Sequence, residues 1–384
     1  MAKRKLFVEA GSIAEKNMSG VGHTALHLIR SLAANEDFIK KFELILIVPF
    51  NKTSFLGTHH LPNSIKIKRL FLPARIMNGA VRFGVTPFMD IIFGRGIYLF
   101  PNFKNWPLLF SKNITYIHDV YFKIAPEHIE VKNLDLLERH IDQFIQRADA
   151  VVTVSRHAKK EIEYFFPESR GKVRTVYNGV DHSLYYPRSH EEQDKIIAKY
   201  DLSRKKFFVF FSNIEPRKNI EKLLDAYKLF VDKTGEREIP LLIVGGMGWG
   251  NEKIFAKIKK MKKEGYGILK PDHYVPDADM PALLSASICL VHPALYEGFG
   301  LTPLEAMSCG AYVIVGDNSS LPEVMGEQFR RYVDVTNASS IAKEMMYYYS
   351  RQDVNKYGLQ RSKRFSWSRS AAELIRVIEE VDEK

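Results

Sequence analysis

The sequence has few cysteines and no long apolar run, and both shortages exclude whole classes of protein. Only two cysteines occur in 384 residues, Cys289 and Cys309, and they lack a metal-binding spacing. A disulfide-stapled secreted fold is therefore excluded, and we expect two reduced core thiols in a cytoplasmic protein. No run of about 18 apolar residues exists, so no membrane-spanning helix is predicted. The apolar stretch near the N-terminus is too short for a signal peptide.

Length and composition predict a globular protein of two domains. With 384 residues the chain is too long for one ordinary core, and its 46% hydrophobic and 26% charged residues are typical of folded chains. Strands alternate with helices in two separate runs, one before and one after residue 187. This alternation predicts an α/β protein in which two doubly wound, Rossmann-like domains face each other across a cleft.

Acidic residues are scarce in one part of the chain. The net charge is +11, and between residues 44 and 117 only one acid occurs, Asp90. The same stretch holds nine basic residues, Lys52, Lys66, Lys68, Arg69, Arg75, Arg82, Arg95, Lys104 and Lys112, with aromatic residues interleaved. Such a surface attracts phospholipid headgroups, a lipid diphosphate or nucleic acid. A merely soluble basic domain explains the charge equally well.

A helix predicted around residues 76–83 lies within this basic stretch. Its apolar face adjoins Arg75 and Arg82, a pattern that fits reversible contact with an anionic membrane. The same apolar face also fits the core of the domain with its charges in solvent, and the sequence leaves both interpretations open.

The most informative stretch is HPALYEGFGLTPLEAMSCG, residues 292–310. It follows a predicted buried strand at 286–291 and contains a Gly-Phe-Gly turn before a helix that opens near Thr302. Glu297 precedes this helix and Glu305 lies in its first turns, so both carboxylates are predicted to line one crevice. A carboxylate accepts hydrogen bonds from paired hydroxyls, and two of them fit two sugar rings. An acid pair at this spacing is common by chance, and the turn, the strand and a second motif upstream give it weight.

The second motif is the loop SNIEPRKN at residues 212–219, between a predicted strand at 207–211 and a predicted helix at 220–234. Arg217 and Lys218 lie where the strand delivers the helix N-terminus. The helix dipole disfavours cations at this position. We therefore interpret both side chains as ligands of an anion such as a phosphate, for which Arg offers a planar fork and Lys a point charge.

Two weaker signals lie near the start of the chain. A glycine loop with Gly20 and Gly22 follows the first predicted strand and precedes a helix from about residue 23, which is a phosphate-binding arrangement but not a dinucleotide fingerprint. His118 ends a predicted strand at 114–117, the position where doubly wound folds bind ligands. A lone histidine is more often structural.

One motif imitates a metal site. Asp277 and Asp279 form a D-x-D pattern directly before a helix predicted at 280–286. Helix capping by Asp279 explains the pattern better than metal binding. We therefore predict no metal site.

Taken together, four motifs in this order resemble glycosyltransferase family 4, the group 1 retaining enzymes. They are SGVG at 19–22, NGVD at 178–181, EPRKN at 215–219, and the two glutamates with their Gly-Phe-Gly turn. The resemblance implies the GT-B fold, with a last helix that crosses back to the N-terminal domain. The domains implied are 1–186 plus 366–384 on the acceptor side and 187–365 for the sugar nucleotide.

The resemblance also implies roles for individual residues. Glu297 would contact the donor sugar, Glu305 the ribose, and Arg217 with Lys218 the donor diphosphate, while His118 would lie near the primary hydroxyl of the sugar. Other substrate contacts would come from Gly20, Gly22, Asn213, Tyr274, Val275, Gly298, Phe299, Gly300 and Leu301. Residues 273–275 are predicted to form a short strand beside the base. No cofactor or metal is implied, since cations and helix N-termini can stabilise the diphosphate leaving group.

The leading hypothesis is retaining transfer from a nucleotide-diphosphate sugar to a lipid-linked or polysaccharide acceptor. Residues 19–22 with YIHD at 116–119 are most similar to mannosyltransferases of surface-polysaccharide assembly, which favours GDP-mannose. The expected location is cytoplasmic, with peripheral contact at the inner face of the membrane left open. An epimerase or a sucrose/starch-type synthase of the same fold is the alternative enzyme. A basic nucleic-acid-binding protein is disfavoured because no nucleic-acid module is recognisable.

Overall fold

The computed structural model describes residues 3–15, 18–50, 61–71, 76, 80, 87–351 and 353–383. The helix predicted around 76–83 therefore lies, apart from Ile76 and Ala80, outside the described residues, and so do Lys52, Arg75 and Arg82. Within the described residues the chain divides into two compact units. The N-terminal unit comprises the residues up to Gly179 together with those from Trp367 onward, and the C-terminal unit comprises Val180–Ser366. This division falls before the predicted boundary at 186/187, because Val180 already pairs with Ser366 and the backbone carbonyl of Tyr185 accepts from the Ser308 hydroxyl.

The N-terminal unit is built on a parallel sheet whose described strands have the order β3-β2-β1-β4-β5-β6-β7. The strands are β1 Arg4–Glu9, β2 Phe42–Pro49, β3 Lys66–Leu70, β4 Ile97–Phe100, β5 Lys112–Tyr116, β6 Ala150–Thr153 and β7 Val173–Thr175. The helices described in this unit are α1 Gly20–Ala33, α2 Glu36–Lys41, α3 Met89–Phe93, α4 Tyr121–Ile124, α5 Val131–Arg147 and α6 Arg156–Phe165. Near-continuous apolar strands such as β2 are buried on both faces, as parallel sheets require.

The C-terminal unit has a second parallel sheet, with its described strands in the order β10-β9-β8-β11-β12. The strands are β8 Phe208–Phe211, β9 Leu241–Val244, β10 Ile268–Leu269, β11 Cys289–His292 and β12 Tyr312–Val315. The helices are α7 His190–Ile197, α8 Ile220–Thr234, α9 Glu252–Lys263, α10 Met280–Ala286, α11 Leu301–Ser308, α12 Leu321–Met325, α13 Ala338–Tyr349 and α14 Lys356–Ser362. Both cysteines are free and buried.

The last helix, α15 Trp367–Glu383, belongs to the N-terminal unit, as predicted. Its Leu374 and Ile378 are fully buried, and burial of such side chains contributes about 1.5–3 kcal/mol each. The Trp367 ring stacks on His27 of α1 with 5.0 Å between ring centres. Glu379 pairs with Lys41 at 2.7 Å.

None of the helices in the described ranges is both long and apolar enough to cross a membrane. The predicted short strand at 273–275 is wrong. The edge strand β10 instead comes earlier, at Ile268–Leu269, where its backbone reaches β9.

Candidate active site

Two loops of the C-terminal unit meet because their strands are neighbours. β8 and β11 pair in parallel, so the loops at their carboxyl ends leave the sheet at the same edge. Lys218 ends a short 3-10 turn after β8, and Glu297 lies in the loop after β11. The backbone N–H of Leu295 donates to the carbonyl of Arg217 at 2.9 Å, which ties the two loops together.

The central feature of this edge is a buried ion pair. Nζ of Lys218 lies 2.5 Å from Oε1 of Glu297, and each residue is only 7% exposed. The partners are 79 residues apart in sequence. A buried ion pair is stable only when both charges are well compensated, so the surroundings of Glu297 determine what this pair does.

Glu297 is held ionised. Burial acts to raise the pKa of its carboxyl, but the positive charge of Lys218, a hydrogen bond from His292 and the charge of Arg217 outweigh it. The pKa therefore lies well below the ordinary value. A carboxylate that stays ionised in a buried setting can stabilise positive charge that develops beside it.

His292, the last residue of β11, supplies that hydrogen bond. Its Nε2 lies 2.6 Å from Oε1 of Glu297, and its ring stacks on Phe210. Burial lowers the pKa of the imidazole, although Glu297 acts in the opposite direction. An ionised carboxylate only accepts, so Nε2 carries a hydrogen. Because the pKa is lowered from its ordinary value of 6.5, the ring is neutral near pH 7. The buried Nδ1 has no partner within the part of the chain that the structure describes.

The second cation, Arg217, is oriented by a neighbour in its own loop. Its Nε and Nη2 lie 3.1 and 3.0 Å from Oε1 of Glu215, which is 3% exposed. Asn219 closes the turn in the left-handed conformation with φ 57°, and its amide donates to the carbonyls of Pro293 and Val335. The turn therefore presents Arg217 and Lys218 side by side in a fixed arrangement.

The backbone around Glu297 is fixed from the next loop along the sheet. Its N–H donates to the Ser319 hydroxyl at 3.0 Å, and the Ser320 hydroxyl donates to its carbonyl at 2.8 Å. Ser319 has a left-handed backbone, with φ 53°. Residues held in this region cost free energy and often lie at functional sites.

The Gly-Phe-Gly turn leads into α11. Gly300 caps the helix with φ 99°, a conformation that favours glycine. Phe299 is buried edge-on against Phe365. Gly298 is buried, whereas Leu301, the first helical residue, is partly exposed. The turn places the free N–H groups of the α11 N-terminus directly after Glu297.

The second motif glutamate, Glu305, lies one turn into α11 in a different environment. Burial, and then the negative charge of Asp277, raise the pKa of its carboxyl to about 8. Burial also raises the pKa of Tyr185, and the negative charge of Glu305 raises it further. The two motif acids therefore differ in charge state near neutral pH, with Glu297 ionised and Glu305 largely protonated.

The predicted cap at Asp279 is only half right. Asp279 does precede α10, but its side chain makes no capping bond. Its carboxylate instead accepts from Nζ of Lys199 at 3.1 Å and from the Tyr200 hydroxyl at 2.9 Å. The Tyr274 hydroxyl donates to the carboxylate of Asp277 at 2.7 Å. Within the described ranges, no group of three His, Cys, Asp or Glu side chains is arranged to hold a metal ion.

The remaining predicted contacts of this unit differ in exposure. Tyr274 is 74% exposed and Val275 is buried. Asn213 is exposed in the loop after β8, where the next residue, Ile214, donates to the carbonyl of Gly246. A Cβ at Gly245 would lie 1.8 Å from the carbonyl oxygen of Ser212. The glycine loop after β9 therefore allows close packing of two backbones.

The other predicted residues belong to the N-terminal unit. Nε2 of His118, after β5, lies 2.9 Å from the carbonyl oxygen of Pro101, and burial lowers the pKa of its ring. Gly20 and Gly22 lie in the first turn of α1 rather than in the predicted loop, because Ser19 caps the helix and its hydroxyl accepts from Gly22. A Cβ at Gly22 would lie 2.8 Å from the carbonyl oxygen of Ser12.

Sequence reasoning missed three residues of this site, namely His292, Glu215 and Ser319. The first had a usable signal, since a histidine at the carboxyl end of a buried strand lies where such sheets bind ligands. The same rule was applied to His118 but not to His292. The hydrogen bond that the Ser319 hydroxyl accepts from the N–H of Glu297 had no local signal, because Ser319 lies in a loop 22 residues away.

Comparison with known proteins assigns both halves of the chain. Residues 192–365 match the family described as Glycosyl transferases group 1, and residues 18–184 match the family described as Glycosyltransferase Family 4. O-antigen chain mannosyltransferase B of Escherichia coli is 28% identical over 380 residues, which cover 93% of this chain and 95% of that protein. The serotype-specific mannosyltransferase WbdA of Escherichia coli is 28% identical over 242 residues, 59% of this chain and 28% of WbdA.

Solved structures agree on the fold. Sucrose-phosphate synthase of Thermosynechococcus elongatus superposes with a TM-score of 0.71 at 16% identity, covering 100% of both chains. HepE of Anabaena, in complex with UDP and glucose, also superposes with a TM-score of 0.71 at 16% identity. The match covers 98% of this chain and 100% of HepE. Both likenesses extend over the two Rossmann-like, parallel-sheet units of this chain. The chain therefore has the GT-B fold and belongs to the group 1, family 4 glycosyltransferases.

Proposed function

We propose that this enzyme transfers mannose from GDP-mannose to a lipid-linked or polysaccharide acceptor in glycan synthesis, with retention of anomeric configuration. The observation that carries the proposal is the buried contact of Lys218 with Glu297 beside Arg217. It combines an ionised carboxylate with two cations at one sheet edge, the two charge signs that a glycosyl diphosphate needs. The full-length similarity to an O-antigen chain mannosyltransferase supports mannose and a glycan acceptor.

The proposed chemistry follows the charges. When the bond between the anomeric carbon and the diphosphate oxygen breaks, the sugar becomes positive and the diphosphate gains negative charge. Glu297 stabilises the positive charge on the sugar, and Arg217 and Lys218 stabilise the negative charge on the diphosphate. The ammonium of Lys218 has three donors, so it can bond Glu297 and a phosphate oxygen together. The acceptor oxygen attacks the same face of the sugar, and its proton passes to the departing phosphate oxygen.

The other proposed contacts complete the donor site. Within the C-terminal unit, Glu305 accepts hydrogen bonds from the ribose hydroxyls, the loop near Tyr274 and Val275 meets the base, and Asn213 and residues 298–301 contact the sugar or diphosphate. No metal is required, because the two cations and the α11 N-terminus supply the positive charge.

A transfer assay tests this function. The purified protein is incubated with GDP-mannose and short mannose oligosaccharides or a polyprenyl-diphosphate-linked glycan, and the product is analysed by NMR. We expect an α-linked mannose and free GDP. A β-linked product would contradict retention, and turnover of UDP-glucose but not of GDP-mannose would contradict the donor.

A further inference from the structure

An exposed apolar patch interrupts the basic surface of the N-terminal unit. We call it the apolar patch, and it consists of Phe88, Ile91, Ile92, Leu109 and Phe110, which are 44, 64, 53, 50 and 59% exposed. Single exposed apolar residues are ordinary on protein surfaces, but a contiguous group marks a site of interaction.

The apolar patch is contiguous because one buried carboxylate joins its two segments. Asp90 in α3 is 3% exposed, and its oxygens accept from the backbone N–H groups of Leu109 at 3.0 Å and of Phe110 at 2.7 Å. The N–H of Met89 also donates to the carbonyl of Pro107 at 3.1 Å. The two segments therefore present their apolar side chains from a fixed backbone.

Cations lie at the edge of the apolar patch. The Arg95 guanidinium lies 4.3 Å from the centre of the Phe110 ring. Nζ of Lys68 donates to the carbonyl of Phe93, the last residue of α3, at 2.7 Å. The one acid of this stretch, Asp90, is buried and bonded to the backbone, so the charge at this edge is positive.

We propose that the apolar patch and its basic rim of Lys68 and Arg95 dock the protein on an anionic lipid bilayer. The apolar side chains enter the boundary between headgroups and acyl chains, and the cations contact lipid phosphates. Apolar side chains flanked by Lys and Arg are the pattern that interfacial segments use. The role of this docking in the reaction rests on the proposed function, because a lipid-linked acceptor lies in a membrane. The docking surface itself is supported by the contacts of Asp90, Lys68 and Arg95 described above.

Cosedimentation of the full chain with vesicles tests this inference. One set of vesicles contains phosphatidylcholine alone, and the other contains phosphatidylcholine with phosphatidylglycerol, at low and high salt. We expect binding to the anionic set, weakened by salt because exposed charges are screened. Lys68→Gln with Arg95→Gln should weaken binding about ten- to thirtyfold, since each basic residue near a membrane contributes about fivefold.

The apolar contribution is tested with Ile91→Ser and Ile92→Ser together. We expect at least about tenfold weaker binding, because two exposed apolar side chains no longer enter the bilayer. The matched control is Val131→Ser with Tyr164→Ser, which changes residues 79 and 73% exposed on α5 and α6 of the same unit. The control should bind as the original protein does.

Three results would overturn the inference: equal binding to both vesicle sets, patch variants that bind like the control, or a patch variant that converts a dimer into a monomer. The last result would assign the patch to a second copy of the chain. Stabilisation by GDP is measured in parallel on every variant. Vesicle binding without GDP binding would leave the docking surface intact and refute the proposed function instead.

Discussion

Nε2 of His292 lies 2.6 Å from Oε1 of Glu297 in the interior of the C-terminal unit. The same oxygen lies 2.5 Å from Nζ of Lys218. One carboxylate oxygen thus receives a neutral and a charged donor at once. The neutral donor fixes the orientation of the carboxylate, and the charged donor keeps it ionised.

We expect His292→Phe to lower kcat about ten- to hundredfold, because a lost hydrogen bond to a buried charged group costs about 1–3 kcal/mol. His292→Gln retains a side-chain N–H and should recover part of the loss. The KM for the donor should change little in both variants, since His292 acts through Glu297. The control is His190→Phe, at the exposed first position of α7. Equal impairment by Phe and Gln, or a loss explained entirely by a lower Tm, would contradict this positioning role.

Lys218→Ala should cost about 2–4 kcal/mol of transition-state stabilisation, measured as kcat/KM, as removal of a contact to developing negative charge does. It should also lower the free energy of unfolding by about 3–5 kcal/mol, because Glu297 is left buried without its charge partner. Lys218→Ala combined with Glu297→Gln should recover stability but not activity. Lys233→Ala, an exposed lysine on α8, serves as the control. Full turnover by Lys218→Ala would remove the diphosphate assignment.

The raised pKa of Glu305 predicts that the stability of the folded protein depends on pH. The pKa of its carboxyl is raised from 4.5 to about 8 in the folded protein. Between these pH values the unfolded chain has lost the proton while the folded protein keeps it, so the contribution of this group falls as pH rises from about 4.5 to about 8. Glu305→Gln should raise Tm at pH 8 and leave it nearly unchanged at pH 4. A Tm difference that does not grow between these values would contradict the assigned pKa.

The same carboxyl predicts a pH dependence of nucleotide binding. An ionised carboxylate accepts two ribose hydroxyls better than the protonated form does, so GDP should bind more tightly as pH rises through about 8. Titration calorimetry in buffers of different ionisation enthalpy should show proton release on binding. Glu305→Gln should bind GDP more weakly and without this pH dependence. Affinity that is independent of pH in the original protein would remove Glu305 from the ribose site.

Metal-independent transfer is expected, because the positive charge at the site comes from Arg217, Lys218 and the α11 N-terminus. Activity should be the same in excess EDTA and with added Mg²⁺ or Mn²⁺. Asp277→Asn should leave the rate unresponsive to metal as well. Activity that disappears in EDTA and returns with Mg²⁺ would contradict the proposal and make Asp277 and Asp279 candidate ligands.

Much of the fold could be predicted because its signals are local. The helix α8 and the strands β9 and β12 have the bounds that periodicity and apolar runs indicate. The prediction of a strand at 273–275 failed, because pairing to a sheet edge depends on a neighbouring strand that local sequence does not specify. Capping by Asp279 failed for a similar reason, since a lysine 80 residues away takes its carboxylate.

The candidate site shows the same limit more clearly. Glycine turns and strand ends indicated Glu297, Arg217 and Lys218 as separate features of two loops. Their pairing across 79 residues follows from the neighbouring positions of β8 and β11 in the sheet. The opposite charge states of Glu297 and Glu305 could not be predicted either, because they depend on burial and on cations brought near by the fold.

The most direct test of the central claim is thermal stabilisation against GDP, UDP, ADP and their mannose or glucose conjugates, with the original protein and Arg217→Ala. A ligand that binds only the folded protein stabilises it by about 2.7 kcal/mol at a hundred times its Kd. We predict that GDP-mannose and GDP raise Tm, that UDP and ADP compounds do so much less, and that Arg217→Ala abolishes most of the GDP effect. No stabilisation by any sugar nucleotide, or an undiminished effect in Arg217→Ala, would contradict the assignment of this site to a nucleotide-diphosphate sugar.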